Sequence, residues 1–153
     1  MQKTVSATPI NVVIADDHEL FRDGLKLMLS SADGVHLAGE AWDGRELINQ
    51  VKKLQPDVVI TDIKMPITDG VEATKFIMQH YPVIKVIALS MYDDEELILE
   101  MFEAGAIGYL LKNADKSEVI EAIHSVNQHI PYYCKSTSGK LTKLLAFSRY
   151  NMQ

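Results

Sequence analysis

Five short apolar runs, each followed by an amphipathic stretch, constrain this chain more than any other feature of its sequence. The runs are Ile10–Ala15, Val35–Ala41 and residues 57–61, 83–89 and 106–111. The first, third and fourth are rich in Val and Ile and lack strict alternation, the pattern of strands covered on both faces in a parallel sheet. The second alternates and belongs nearer an edge. The intervening stretches carry apolar residues at helical spacing: Leu20, Phe21, Gly24, Leu25 and Met28; Leu47, Ile48, Val51 and Leu54; Val71, Thr74, Phe76 and Ile77; Leu97, Ile98, Met101 and Phe102; Val119, Ile120, Ile123 and Val126. Asp93 and Asp94 precede the fourth stripe, and Asp115 with Glu118 makes a capping-box start to the fifth. A strand–helix order repeated five times with short connections implies an α/β fold, a doubly wound parallel sheet with right-handed crossovers.

The length of 153 residues suits one such unit, and a charged fraction of 24% suits a soluble domain. Cys134 is the single cysteine, so no intrachain disulfide can form. Residues 1–9 are polar and read as a flexible N-terminus with no signal peptide. No run approaches the roughly 20 apolar residues of a membrane span. A cytoplasmic protein without membrane contact is the expectation. The net charge of −6 opposes binding of nucleic acid by the chain as a whole. The charge is uneven, however. No Asp or Glu follows Glu121, whereas Lys135, Lys140, Lys143 and Arg149 do. This shift places a boundary near Pro131, with residues 10–130 as the folded domain and 131–153 as a basic linker or tail. Leu141, Leu144 and Leu145 with Lys140 and Lys143 give that tail the pattern of a short helix.

Ligands of open α/β sheets bind beyond the carboxyl ends of the strands. The first run ends at Asp16 and Asp17, the third at Asp62, the fourth at Ser90 and the fifth at Lys112. Three carboxylates, a hydroxyl and an ammonium are thus delivered to one edge. Two like charges about 4 Å apart repel by roughly 4 kcal/mol at an effective dielectric of about 20, so such a group needs a proton or a cation. Oxygen ligands without a His or Cys cluster point to a hard ion, Mg²⁺ before others. Carboxylate, Mg²⁺, ammonium and hydroxyl together suit phosphoryl transfer, with a carboxylate attacking phosphorus while cations neutralise the transferring oxygens.

Residues 11–128 resemble the receiver domain of two-component response regulators. The resemblance rests on Asp16-Asp17, on Asp62-Ile63-Lys64-Met65-Pro66 with Asp69-Gly70, on Ala88-Leu89-Ser90, and on Gly105-Ala106 leading to Gly108-Tyr109-Leu110-Leu111-Lys112. It implies a flavodoxin-like sheet of strand order 2-1-3-4-5. It implies that Asp62 accepts a phosphoryl group from a sensor histidine kinase, and that Asp17, Asp62 and the Lys64 carbonyl ligate Mg²⁺ with Asp16 assisting. Lys112 would bond Asp62 or its phosphate, Ser90 would bond a phosphate oxygen, and Tyr109 would turn inward. The phrase Gly108-Tyr109-Leu110-Leu111-Lys112 and the stretch Ser90-Met91-Tyr92-Asp93-Asp94 are most similar to the NarL/FixJ (LuxR-type) transcriptional regulators. A helix-turn-helix DNA-binding domain follows the receiver in that subgroup, and the stretch past Pro131 is too short for one. A homodimer formed on phosphorylation is a further implication. Asn113 follows Lys112 where many receivers have proline, which favours a trans bond there.

Three other functions fit the fold class. An aspartate-based phosphatase or phosphotransferase of the haloacid-dehalogenase kind wants an acid two residues after the nucleophile, and Lys64 stands there. A flavin or nucleotide carrier wants a glycine-rich phosphate loop after the first strand, where Asp16 and Asp17 stand instead. A receiver that binds its partner without phosphate would leave the acidic set unexplained. A switch that is not an enzyme is therefore the leading expectation. Each residue also has a bland reading: His18, whose place next to the acidic pair invites a metal role, as an exposed first-turn residue, Tyr109 as core filling, Trp42 as packing.

Overall fold

The computed structural model describes residues 8–91, 94–137 and 139–151. Most of residues 1–9, together with Tyr92 and Asp93, lie outside them, as do the side chains of Lys140 and Arg149. The chain runs β1 (Ile10–Ala15), α1 (Glu19–Ser30), β2 (Val35–Ala41), α2 (Gly44–Leu54), β3 (Val58–Asp62), α3 (Gly70–His80), β4 (Lys85–Ser90), α4 (Glu95–Ala104), β5 (Gly108–Leu111), α5 (Lys116–Asn127), β6 (Tyr132–Tyr133) and α6 (Gly139–Asn151). The strands form one parallel sheet of order β2-β1-β3-β4-β5-β6. The expected five-strand order is present, extended by a sixth strand.

Alternation along each strand divides the core between the two faces of the sheet. Val13, Val59 and Val86 face α2, α3, α4 and α6, packing with Leu47, Ile77, Met101 and Leu145. Val12, Ile14, Ile60 and Leu89 face α1 and α5, packing with Leu25, Leu29, Val119 and Ile123. The inner strands β3 and β4 are buried almost throughout, whereas β2 is only half-buried, as its alternating sequence and edge position require. Helix starts follow the aspartates. Asp43, Asp69, Asp94 and Asp115 each accept a bond from the backbone N–H three residues on.

Several boundaries differ from the sequence reading. Val83 is exposed and β4 begins at Lys85. The fifth run starts before its strand, because the Ala106 N–H bonds the Met101 carbonyl and closes α4. Leu20 is 87% exposed, so the buried face of α1 is Leu25 and Leu29. The largest difference lies past Pro131, where the charge pattern suggests a linker or tail. There β6 pairs with β5, the Tyr133 ring lies 5.9 Å from that of Phe102, and Leu141 and Leu145 of α6 are fully buried in the core on the α4 side. The Tyr132 hydroxyl and the Lys135 backbone N–H both donate to Glu118 Oε2, at 3.0 and 2.9 Å, pinning the strand to α5. A two-residue strand has no periodicity to read, and the helix that follows it owes its place to packing.

Candidate functional site at the carboxyl edge of the sheet

Register places the polar residues. Ala15 pairs with Thr61, Asp62 with Leu89 and Ser90 with Leu111, so Asp16, Asp62, Ser90 and Lys112 reach the same edge at similar heights. The Lys112 N–H donates to the Ser90 carbonyl at 2.8 Å and extends this pairing past the strand. The Gly70 N–H donates to the Ile63 carbonyl at 2.7 Å, and a Cβ on Gly70 would strike the Asp62 carbonyl. Glycine therefore lets the start of α3 tuck against the end of β3.

Lys112 Nζ lies 2.6 Å from Asp16 Oδ2 and 2.9 Å from Asp62 Oδ2. Asp16 and Asp62 are 1% and 7% exposed, so both charges are held largely out of water. Asp62 Oδ1 accepts the Ile63 N–H at 2.8 Å, and Asp16 Oδ1 accepts the His18 N–H at 2.8 Å. Burial raises the Asp62 carboxyl above its ordinary range. The charge of Asp16 adds to this, the bond from Lys112 opposes it, and the net direction is upward. Burial works against the Lys112 ammonium, but its bonds to Asp16 and Asp62 outweigh this and raise it. The pair is thus a charged lysine beside a carboxylate more basic than usual.

Three carboxylates against one ammonium leave an excess of negative charge, and ligand atoms of Asp16, Asp17, His18 and Asp62 all lie within 4.8 Å of one another. Asp16 Oδ2 is buried in its ion pair with Lys112 and has no other polar partner among the described residues. The donor set fits a divalent cation. Lys64 and Ser90 line the cleft that Asp62 and Lys112 open onto. Tyr109 is placed elsewhere: it is fully buried on the sheet face that packs on α4, in the same cluster as Met101 and Phe102. The Lys112–Asn113 bond is trans, as are all described peptide bonds.

Three further residues belong to the site, and of these the sequence marks only His18, by its place beside Asp16 and Asp17. The Arg22 guanidinium donates to the Asp16 carbonyl at 2.8 Å and to Glu40 Oε1 at 3.1 Å, fixing the turn after β1. The Phe21 ring centroid lies 4.9 Å from Lys112 Nζ and shields the ammonium on its apolar side. The His18 ring turns toward the acidic pair, although the sequence suggests an ordinary first-turn position. The Phe21 and Arg22 contacts join α1 to strand ends, and no local pattern marks them.

The family model of the response regulator receiver domain matches residues 12–124. The transcriptional regulatory protein DegU of Brevibacillus brevis is 39% identical over 143 residues, which are 94% of this chain and 61% of that protein. The chain therefore spans less than two thirds of that relative's length. A LuxR-family two-component response regulator from Aurantimonas sp. SI85-9A1 superposes with a TM-score of 0.79 at 27% identity, covering 93% of this chain and 99% of that one. A structure of two RcsB dimers bound to two parallel DNAs superposes with a TM-score of 0.76 at 28% identity, covering 90% of this chain and 68% of that one.

Proposed function

The chain belongs to the response regulator receiver family, and on that premise we propose that Asp62 is the phosphoacceptor of a Mg²⁺-dependent phosphorelay fed by a sensor histidine kinase. The single observation that carries this reading is Asp62 itself: a buried carboxylate, more basic than usual, bonded at 2.9 Å by Lys112 and open to the cleft. Asp62 attacks phosphorus, the P–N bond of the donor phosphohistidine breaks, and the imidazole leaves with the electron pair and takes up a proton. The product is an acyl phosphate on Asp62. Lys112 neutralises charge on the transferring oxygens. Asp17, Asp62 and the Lys64 carbonyl would hold Mg²⁺, with Asp16 assisting. The ion, when bound, would supply a second positive charge facing the phosphoryl oxygens.

Ser90, in the same cleft, bonds a phosphate oxygen once it is present, and the rearrangement passes along β4 and β5 to Tyr109 and α4. The chain acts as a switch and does not turn over a substrate. Lys64, where a haloacid-dehalogenase-type phosphatase needs an acid, favours this over the enzymatic reading. The output is transcriptional, exerted in the cytoplasm through a helix-turn-helix domain outside this sequence and accompanied by self-association. The relatives named above support that step. The test uses acetyl phosphate with Mg²⁺ and intact-mass measurement. The protein should gain one phosphoryl group, and Asp62→Asn should gain none; an unchanged mass for the unaltered protein contradicts the proposal.

A further inference from the structure

The phosphoryl chemistry above leaves His18 without a role. It occupies the N-cap position of α1, yet its side chain makes no capping bond. The ring turns into the acidic cluster instead. His18 Nδ1 lies 2.9 Å from Asp16 Oδ1, 3.3 Å from Asp17 Oδ1 and 3.4 Å from Lys112 Nζ. One ring nitrogen cannot suit all three neighbours. As an N–H it suits both carboxylates and opposes the ammonium; without the proton it suits the ammonium and opposes both carboxylates. A dication between the carboxylates removes the conflict, because the bare nitrogen then gives its lone pair to the ion.

The spacings agree with this. Donor atoms on adjacent corners of an octahedron with bonds of about 2.1 Å stand about 3 Å apart. The two nitrogen–oxygen distances, 2.9 and 3.3 Å, are of that order, the shorter being also a hydrogen bond between His18 Nδ1 and Asp16 Oδ1 that the ion would replace. The side chain is 59% exposed, so the ring can swing onto the ion without disturbing the core.

We propose that His18 is a nitrogen ligand of the cation held by the aspartates, and that it makes the site favour a first-row transition dication over Mg²⁺. The reasoning rests on the cation site proposed above. Mg²⁺ gains little from exchanging a water oxygen for an imidazole, whereas Mn²⁺, Co²⁺ and Ni²⁺ gain progressively more. A site built from oxygens alone has a weaker bias of this kind.

Mn²⁺ is the probe, because it binds such sites and is paramagnetic. Pulsed electron paramagnetic resonance of the Mn²⁺-loaded protein should show hyperfine coupling to a directly bound nitrogen, and His18→Gln should abolish it. In competition titrations, His18→Gln should reduce by about threefold to tenfold the excess of Mg²⁺ needed to displace half the Mn²⁺. Circular dichroism melting checks that the variant is folded. Mn²⁺ bound without nitrogen coupling, or a variant with an unchanged spectrum and unchanged competition, overturns the role of His18. Asp17→Asn separates the two claims. If it fails to weaken Mn²⁺ binding, the ion lies elsewhere and the cation site falls together with the proposal; if it weakens binding and nitrogen coupling is absent, only the role of His18 falls.

Discussion

The acidic edge and the β6–α6 flank are buried to similar degrees by opposite means. At the edge, Asp16 and Asp62 are enclosed as charges, with Lys112 between them. At the flank, Leu141 and Leu145 are enclosed as hydrocarbon against α4, while Tyr132 and Lys135 bond Glu118 at its border. Burying charge costs free energy that pairing only partly offsets, whereas burying leucine contributes about 1.5–3 kcal/mol for each side chain. The contrast separates residues present for chemistry from residues present for packing. The two regions meet in the core, since Tyr109 sits in the same apolar cluster as Leu141 and Leu145, one sheet position from the β4 strand that ends at Ser90.

The sharpest way to break this contrast is Lys112→Ala. It leaves two buried carboxylates beside each other without a counter-charge and should cost about 3–5 kcal/mol in urea unfolding at neutral pH. Part of the loss should return with Mg²⁺. It should also return as the pH falls, because Asp62 holds its proton more tightly in the folded state than in the unfolded one, and protonation then favours the folded state. A loss that is the same at every pH would mean that Lys112 acts through its packing on Phe21. Next in size is Leu145→Ala, which should cost about 2–4 kcal/mol or undock α6. Hydrogen exchange of the α6 amides would show either, while phosphoryl uptake at Asp62 should persist. Loss of uptake in this variant would show that the flank is part of the chemistry after all.

The smallest effect concerns Tyr132. Burial, followed by its bond to Glu118, holds its phenol well above the ordinary 10.0. The folded state then keeps a proton that the unfolded state releases, so stability is complete below pH 10 and declines above it. Tyr132→Phe should flatten that alkaline decline in a series of melting curves. An unchanged slope would mean that the β6 clasp contributes nothing to stability.

Much of this architecture is legible in the sequence, for identifiable reasons. The Val- and Ile-rich runs give β1, β3 and β4 because strands buried on both faces leave no alternative composition. Asp16, Asp62, Ser90 and Lys112 can be placed together because a parallel sheet presents all its carboxyl ends at one edge. Asp115 can be read as a cap because capping is local. What escapes depends on distant parts of the chain. Nothing near Phe21 or Arg22 signals that α1 will lay them against the strand ends, whereas His18 is marked by the two aspartates before it. The tail shows its lack of acids and hides its docking, because the surface that Leu141 and Leu145 cover is made by the distant α4. Leu20 misleads for the opposite reason: it fits the apolar stripe but is left exposed at the first turn of α1.

The central claim is that phosphate is taken by Asp62 and by no other member of the acidic cluster. Borohydride reduction of the protein after treatment with acetyl phosphate and Mg²⁺ converts an acyl phosphate to a stable alcohol, and peptide mass spectrometry locates it. The account predicts homoserine in place of Asp62 and unmodified Asp16 and Asp17. Reduction at Asp16 or Asp17, or phosphate recovered on His18 instead, would contradict it.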